Sequence, residues 1–290
     1  MPVLRFLASP LWAGSRAFQA IALVVLAVVQ IVSAQLTDFL HVGQSVQMRS
    51  AATTHPLVPW GYAFAIWAAI YLWSVISAVW QLGEKHRDDP ALKAVGWNMA
   101  GMFLVNSLWQ VWVPLHGFDW ISVGLVGGAL LLGLGGLLRL RELGEVSSED
   151  TGFVFAPMAL MTGWLTAAAF VNFTSVLVAQ HYALNPVNAN VSMGFLVALL
   201  AFGALMVWLT DSLSYSLGLM WAVFWTMMAN IYRDHDLGLA TVSLAGLFVI
   251  AIVCAWTMYE HGHSMRSSAA RAPRMGSGGQ SALPKPRLRR

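Results

Sequence analysis

The chain has 290 residues, of which 58% are hydrophobic and only 10% are charged. A soluble domain carries roughly 25% charged residues, so too little charge remains here to solvate a globular surface. The formal net charge is +3, but its placement says more than its sum, because charge collects in short stretches between long apolar runs.

A helix needs about 20 residues to cross about 30 Å of hydrocarbon. Backbone polar groups must be satisfied inside lipid, which favours helices for runs of that length. The short alternating segments of a membrane barrel are not seen. The expected fold is therefore all-α, a polytopic transmembrane bundle of eight spans. In chain order they cover about 18–34, 58–81, 91–113, 120–138, 153–179, 191–209, 213–230 and 237–259. The weakest division is the short turn Thr210-Asp211-Ser212 between the sixth and seventh spans. The first span ends Val32-Ser33-Ala34-Gln35, which resembles a signal-peptidase site; cleavage there would leave seven spans.

Eight spans place both termini on one side. That side then holds Arg5, Arg16, Lys85, Arg87, Lys93, Arg139, Arg141 and the seven basic residues of the tail, and the other side holds only Arg49 and Arg233. Such a split follows the positive-inside rule with both termini cytoplasmic, in an inner (cytoplasmic) bacterial membrane. The segment 261–290 is rich in Ser, Gly, Pro and Arg without apolar periodicity, and reads as a basic disordered tail. Nucleic-acid binding is not expected of it. His261 and His263 have no third ligand nearby, so no metal site is expected. The single cysteine, Cys254, lies in an apolar run and reads as a small packing residue.

There are 14 tryptophans, seven of them between Trp60 and Trp112. Trp12, Trp60, Trp120 and Trp256 fall near span ends, the usual interfacial place. Trp67, Trp73, Trp109 and Trp164 fall well inside. Trp67 and Tyr71 are four residues apart and share a helix face, as do Asn106 and Gln110 with Trp109 beside them. Asn172 lies eight residues after Trp164, on roughly the same side two turns on. Amides in a bilayer are costly unless partnered, so these face the bundle interior or a cavity. By spacing alone, interhelical hydrogen bonding and ligand contact both remain open.

The chain resembles the TspO/MBR family, the tryptophan-rich sensory and translocator proteins. Pro59-Trp60-Gly61-Tyr62-Ala63-Phe64-Ala65-Ile66-Trp67 with Tyr71 is similar to that family's second helix. Asn106-Ser107-Leu108-Trp109 is similar to its Asn-x-x-Trp third helix, and Pro157, Trp164, Ala168 and Asn172 to its fifth. The resemblance covers about residues 17–180. It departs from the family pattern at Phe64-Ala65-Ile66-Trp67, one residue short and without the proline, and in the three spans that follow the core. The organisation expected is a TspO-like five-helix core (1–180), three additional spans (181–260) and the tail (261–290).

The resemblance implies a membrane-embedded binding protein or sensor for a hydrophobic, often planar ligand, such as a porphyrin, sterol or similar lipid. Its pocket would be roofed by the loop after the first helix. The implied wall is Trp67, Tyr71, Asn106, Trp109, Gln110, Trp164 and Ala168, with Asn172 deeper; His55 could approach the lid. Aromatic walls with a few orienting amides are the usual make-up of a small-molecule pocket. Bound tetrapyrrole, sterol or lipid is the implied occupant, and no cofactor is required. A transporter of a hydrophobic solute is the second reading, although the spans hold almost no ionisable residues for ion coupling. A homo-oligomer or a subunit of a larger membrane complex is the third, with the glycines of the fourth span (Gly124, Gly127, Gly128, Gly133, Gly135, Gly136) as candidate contact faces. No catalytic residues are assigned, because no nucleophile–base pair or cofactor motif is found.

Overall fold

The computed structural model describes residues 16–86, 89–144 and 147–271. Arg5, Trp12, Arg87 and the tail from residue 272 lie outside the described residues, as do the side chains of His261 and His263. Eight long helices follow one another, with no strand among the described residues. They are α1 (Arg16–Leu40), α2 (Ile66–Trp80, led in by the 3-10 turn Gly61–Ala65), α3 (Pro90–His116) and α4 (Trp120–Glu142). Then come α5 (Ala156–Ala179, led in by a π turn, Thr151–Phe155), α6 (Ala189–Thr210), α7 (Leu213–Tyr232) and α8 (Leu237–Arg271). A short loop helix, Val46–Ala52, lies between α1 and α2.

Local chemistry sets the starts. Asp89 caps α3 by accepting from Ala91 N (2.8 Å) and Leu92 N (3.1 Å), with Pro90 at the first helical position. Asp119 and Ser122 form a capping box on α4. Asn188 caps α6 and Ser212 caps α7. The division at 210–212 is made by Asp211, which closes α6 in the left-handed conformation (φ 50°, ψ 45°). Boundaries move by a few residues from expectation. α2 begins only at the 3-10 turn because the chain before it makes a turn at His55–Val58 around Pro56 (Val58 N to His55 O, 2.9 Å) and is extended at Trp60. α3 runs through Pro114 to His116, since a proline near a helix end removes one hydrogen bond without breaking the turn that follows.

Among the described residues, six helical segments are long and apolar enough to cross a membrane by length and composition: Ala17–Leu36, Gly61–Trp80, Trp120–Glu142, Ser148–Ala179, Ala189–Thr210 and Leu237–Glu260. α3 and α7 are as long but carry more polar and Trp/Tyr residues, including Asn98, Asn106 and Gln110 on α3 and Tyr215 and Asn230 on α7. Those named residues are buried, so these two helices keep their polar groups inside the bundle.

Contacts between connecting segments sort the bundle into two ends. At one, Lys85 before α3 pairs with Glu149 before α5 (2.9 Å), and Arg141 at the end of α4 donates to Trp208 O on α6 (3.0 Å). At the other, Arg49 donates to Pro114 O (3.0 Å), Trp120 Nε1 to Tyr182 Oη (3.2 Å), and Arg233 to His55 O (3.1 Å). This is the alternation eight crossings require. The two arginines at the second end are both engaged with backbone carbonyls.

α1, α3, α4 and α5 pack in succession, with α2 against α1 and α5. The C-terminal helices are not a separate unit: α7 lies along α5, and α8 packs on α6 and α7. Among the glycines of α4, Gly133 and Gly136 lie against α3 and α5, where a Cβ would meet Met102, Asn98, Met158 or Thr162, whereas Gly124 and Gly127 have nothing within 4 Å.

Candidate functional site

The 3-10 turn before α2 brings Phe64 and Trp67 toward α5. Trp164 meets both edge-on, with ring centroids 6.0 Å from Trp67 (84° between planes) and 6.2 Å from Phe64 (76°). Trp67 also stacks on Tyr71 one turn further along (5.3 Å, 23°). Trp109 enters from α3, and its indole N–H donates to Asn172 Oδ1 (2.8 Å). Asn172 Nδ2 in turn donates to Ser122 Oγ (2.9 Å), the capping-box serine of α4. The orientation of Trp109 is therefore tied through Asn172 to the start of another helix. The Trp164 Nε1, by contrast, is buried with no hydrogen-bond partner.

These rings border a cavity of about 540 Å³ of empty space, part of it continuous with the exterior. Of the eight residues expected at the site, Trp67, Trp109, Trp164, Ala168 and Asn172 line it. Ala168, one turn past Trp164, leaves the space that a larger side chain would fill.

Tyr71, Asn106 and Gln110 stand outside the lining. Gln110 Nε2 donates to Tyr71 Oη (2.8 Å) and Asn106 Nδ2 to Gln30 Oε1 of α1 (3.3 Å). They fasten α1, α2 and α3 together behind the Trp67 ring. A shared helix face is an interior face in either case, and spacing does not say whether a void or a neighbour lies opposite. His55 is 2% exposed and does not line the cavity; it is packed in the loop between α5 and α7.

Three lining groups come from the C-terminal helices, which carry no sequence motif: Leu199 of α6, and Ala222 and Thr226 of α7. The C-terminal helices thus close a wall of the cavity. Asn230 was the available signal. It is a fully buried amide near the end of a span, and its Nδ2 donates to Pro56 O (2.8 Å), which ties α7 to the loop above the cavity. Val46 and Ser50 of the loop helix, with Pro59, complete the roof.

A double-mutant cycle of Trp109→Phe with Asn172→Ala is expected to give a coupling of about 0.6–1.7 kcal/mol, the span found for hydrogen bonds inside bilayers. Additive effects in detergent-unfolding measurements would show that Asn172 does not hold the ring.

No group of three or more His, Cys, Asp or Glu side chains that could hold a metal occurs among the described residues. The family described as TSPO-like protein matches this chain over residues 16–259, so the match includes α6, α7 and most of α8 as well as the first five long helices. No curated protein and no solved structure matches the chain.

Proposed function

This chain belongs to the TSPO-like protein family, and on that premise we propose that it is a membrane-embedded binding protein for a hydrophobic, flat ligand of the tetrapyrrole, sterol or similar lipid kind. The observation that carries this reading is the aromatic cavity between α2, α3 and α5, with Trp67, Trp109 and Trp164 on its wall. Rigid rings offer large contact area with few rotatable bonds to immobilise. Sensing by a ligand-dependent change in the bundle is the activity proposed for such a site. The charge distribution supports an orientation with both termini in the cytoplasm and the roofed end facing away from it.

Protoporphyrin IX, as a planar probe, is expected to quench tryptophan fluorescence saturably in the protein held in lipid nanodiscs. Trp67→Ala and Trp164→Ala should each weaken that binding about tenfold or more. Trp256→Phe, a change at a residue 60% exposed on α8, should leave it alone. Quenching that rises linearly without saturation, or that is indifferent to Trp67 and Trp164, overturns the assignment of the ligand class to this cavity.

A further inference from the structure

Every third or fourth residue of α1 faces the bundle: Gln19, Leu23, Ala27, Gln30 and Ser33 are buried. Gln30 lies well inside the apolar stretch Ala17–Leu36 and is 0% exposed. Across from it stands Asn106 of α3, 1% exposed, with Gln110 of α3 and Tyr71 of α2 buried nearby. An amide inside a bilayer is costly unless its donors and its acceptor are met. The hydrogen bonds of these side chains therefore need a full account.

Gln110 Nε2 donates to Tyr71 Oη (2.8 Å), and Asn106 Nδ2 donates to Gln30 Oε1 (3.3 Å). The second bond is long, and it is the single direct link of that amide pair. Gln30 Nε2 and Asn106 Oδ1 are buried with no hydrogen-bond partner. Turning the amides over does not cure this. With both turned, Gln30 Nε2 donates to Asn106 Oδ1, and Gln30 Oε1 and Asn106 Nδ2 become the unmet pair. With one turned, like atoms face each other. One donor and one acceptor are left over on the same two side chains in either matched arrangement. Each then bears the full desolvation cost of a buried polar group unless something else meets it.

We propose that Gln30 and Asn106 form a binding site for one water molecule, which accepts from the free amide N–H and donates to the free amide oxygen. One donor and one acceptor is the combination water matches and a bare ion does not. Buried waters meet such groups with about three hydrogen bonds, each nearly as favourable in enthalpy as a direct one. The site is distinct from the aromatic cavity, because none of Gln30, Tyr71, Asn106 and Gln110 lines it. It therefore does not depend on what that cavity binds. The water makes a second link between α1 and α3 beside the 3.3 Å amide bond, so the attachment of α1 includes a solvent molecule inside the span. Tyr71, held by Gln110 one turn from Asn106 and stacked on Trp67 (5.3 Å), stands between this link and the cavity wall.

The test uses the full chain in lipid nanodiscs with nitrogen-labelled glutamine, observed by solid-state magnetic resonance. Magnetisation from water protons is expected to reach the Gln30 side-chain amide as it reaches that of Gln180, which is exposed after α5. Asn106→Leu removes the second partner and should abolish the transfer to Gln30 while leaving Gln180 unchanged. Transfer to Gln180 without transfer to Gln30 overturns the site. So does transfer to Gln30 that survives Asn106→Leu, and so does transfer that arrives from lipid acyl protons instead of water. A density map fine enough to resolve ordered water is the second reading and needs no variant. A peak within hydrogen-bond distance of both Gln30 and Asn106 is expected there, and its absence where other buried waters are resolved overturns the proposal.

Discussion

Alanine at Gly163 is expected to destabilise the protein by more than about 3 kcal/mol, the upper end for overpacking by a single methyl. α5 and α7 cross at Gly163 and Gly218. A Cβ on Gly163 would fall on the carbonyl oxygen of Tyr215 and close to Leu219 N; one on Gly218 would fall on Leu160 O and close to Trp164 N. Backbone atoms cannot rotate out of the way, so one helix must move. α5 carries Trp164, Ala167 and Ala168 and α7 carries Ala222 and Thr226, so separating them widens the cavity at the same stroke. The buried Tyr215 Oη–Thr166 Oγ1 hydrogen bond (2.7 Å) bridges the same two helices and would be stretched too. Gly136 provides the comparison. There a Cβ would meet the flexible end of Met158, and Gly124 has open space, where alanine gains helix propensity instead. Detergent-unfolding midpoints should therefore fall in the order Gly124→Ala, Gly136→Ala, then Gly163→Ala and Gly218→Ala together. A Gly163→Ala protein as stable as the parent would mean that α5 and α7 do not touch at this point.

The contrast between these glycines also shows what could be read in the sequence. The helical bundle and the alternation of its long helices were legible because hydropathy and the spacing of charged stretches are one-dimensional signals. Trp67, Trp109, Trp164, Ala168 and Asn172 were legible because motif spacing carried them as a set. Tyr71, Asn106 and Gln110 have the same chemistry and the same helix faces, yet they meet neighbouring helices rather than the cavity. What separates the two groups is the crossing of α1, α2 and α3, which no spacing within one helix encodes. The α7 wall was hidden for a related reason. Ala222 and Thr226 are unremarkable span residues until Gly163 and Gly218 let α7 lie against α5. Asn230 could have been read, since a buried intramembrane amide needs a partner, but its partner is a loop carbonyl 174 residues away.

Acidification is expected to loosen the half of the roof that α7 pins. His55 Nδ1 accepts from Leu57 N (3.3 Å), so that nitrogen carries no proton, and Nε2 faces Ser175 Oγ (3.4 Å). Protonation would remove that acceptor and place a cation in a buried site beside Arg233. Burial, and secondly the Arg233 charge, push the imidazole from its ordinary 6.5 down to about 3. The folded value lies below the unfolded one. The stability from keeping His55 neutral is therefore full above about 6.5 and is lost as pH falls toward 3, at about 1.4 kcal/mol per pH unit. Between pH 7 and pH 5 that comes to about 2 kcal/mol, or an opening of the 55–60 segment roughly twentyfold more frequent. Amide exchange at Leu57, Val58 and Trp60, corrected for the intrinsic pH dependence of the chemistry, measures this directly. His55→Asn, which keeps an acceptor and cannot titrate, should abolish the dependence. If the dependence survives that change, His55 is not the titrating group.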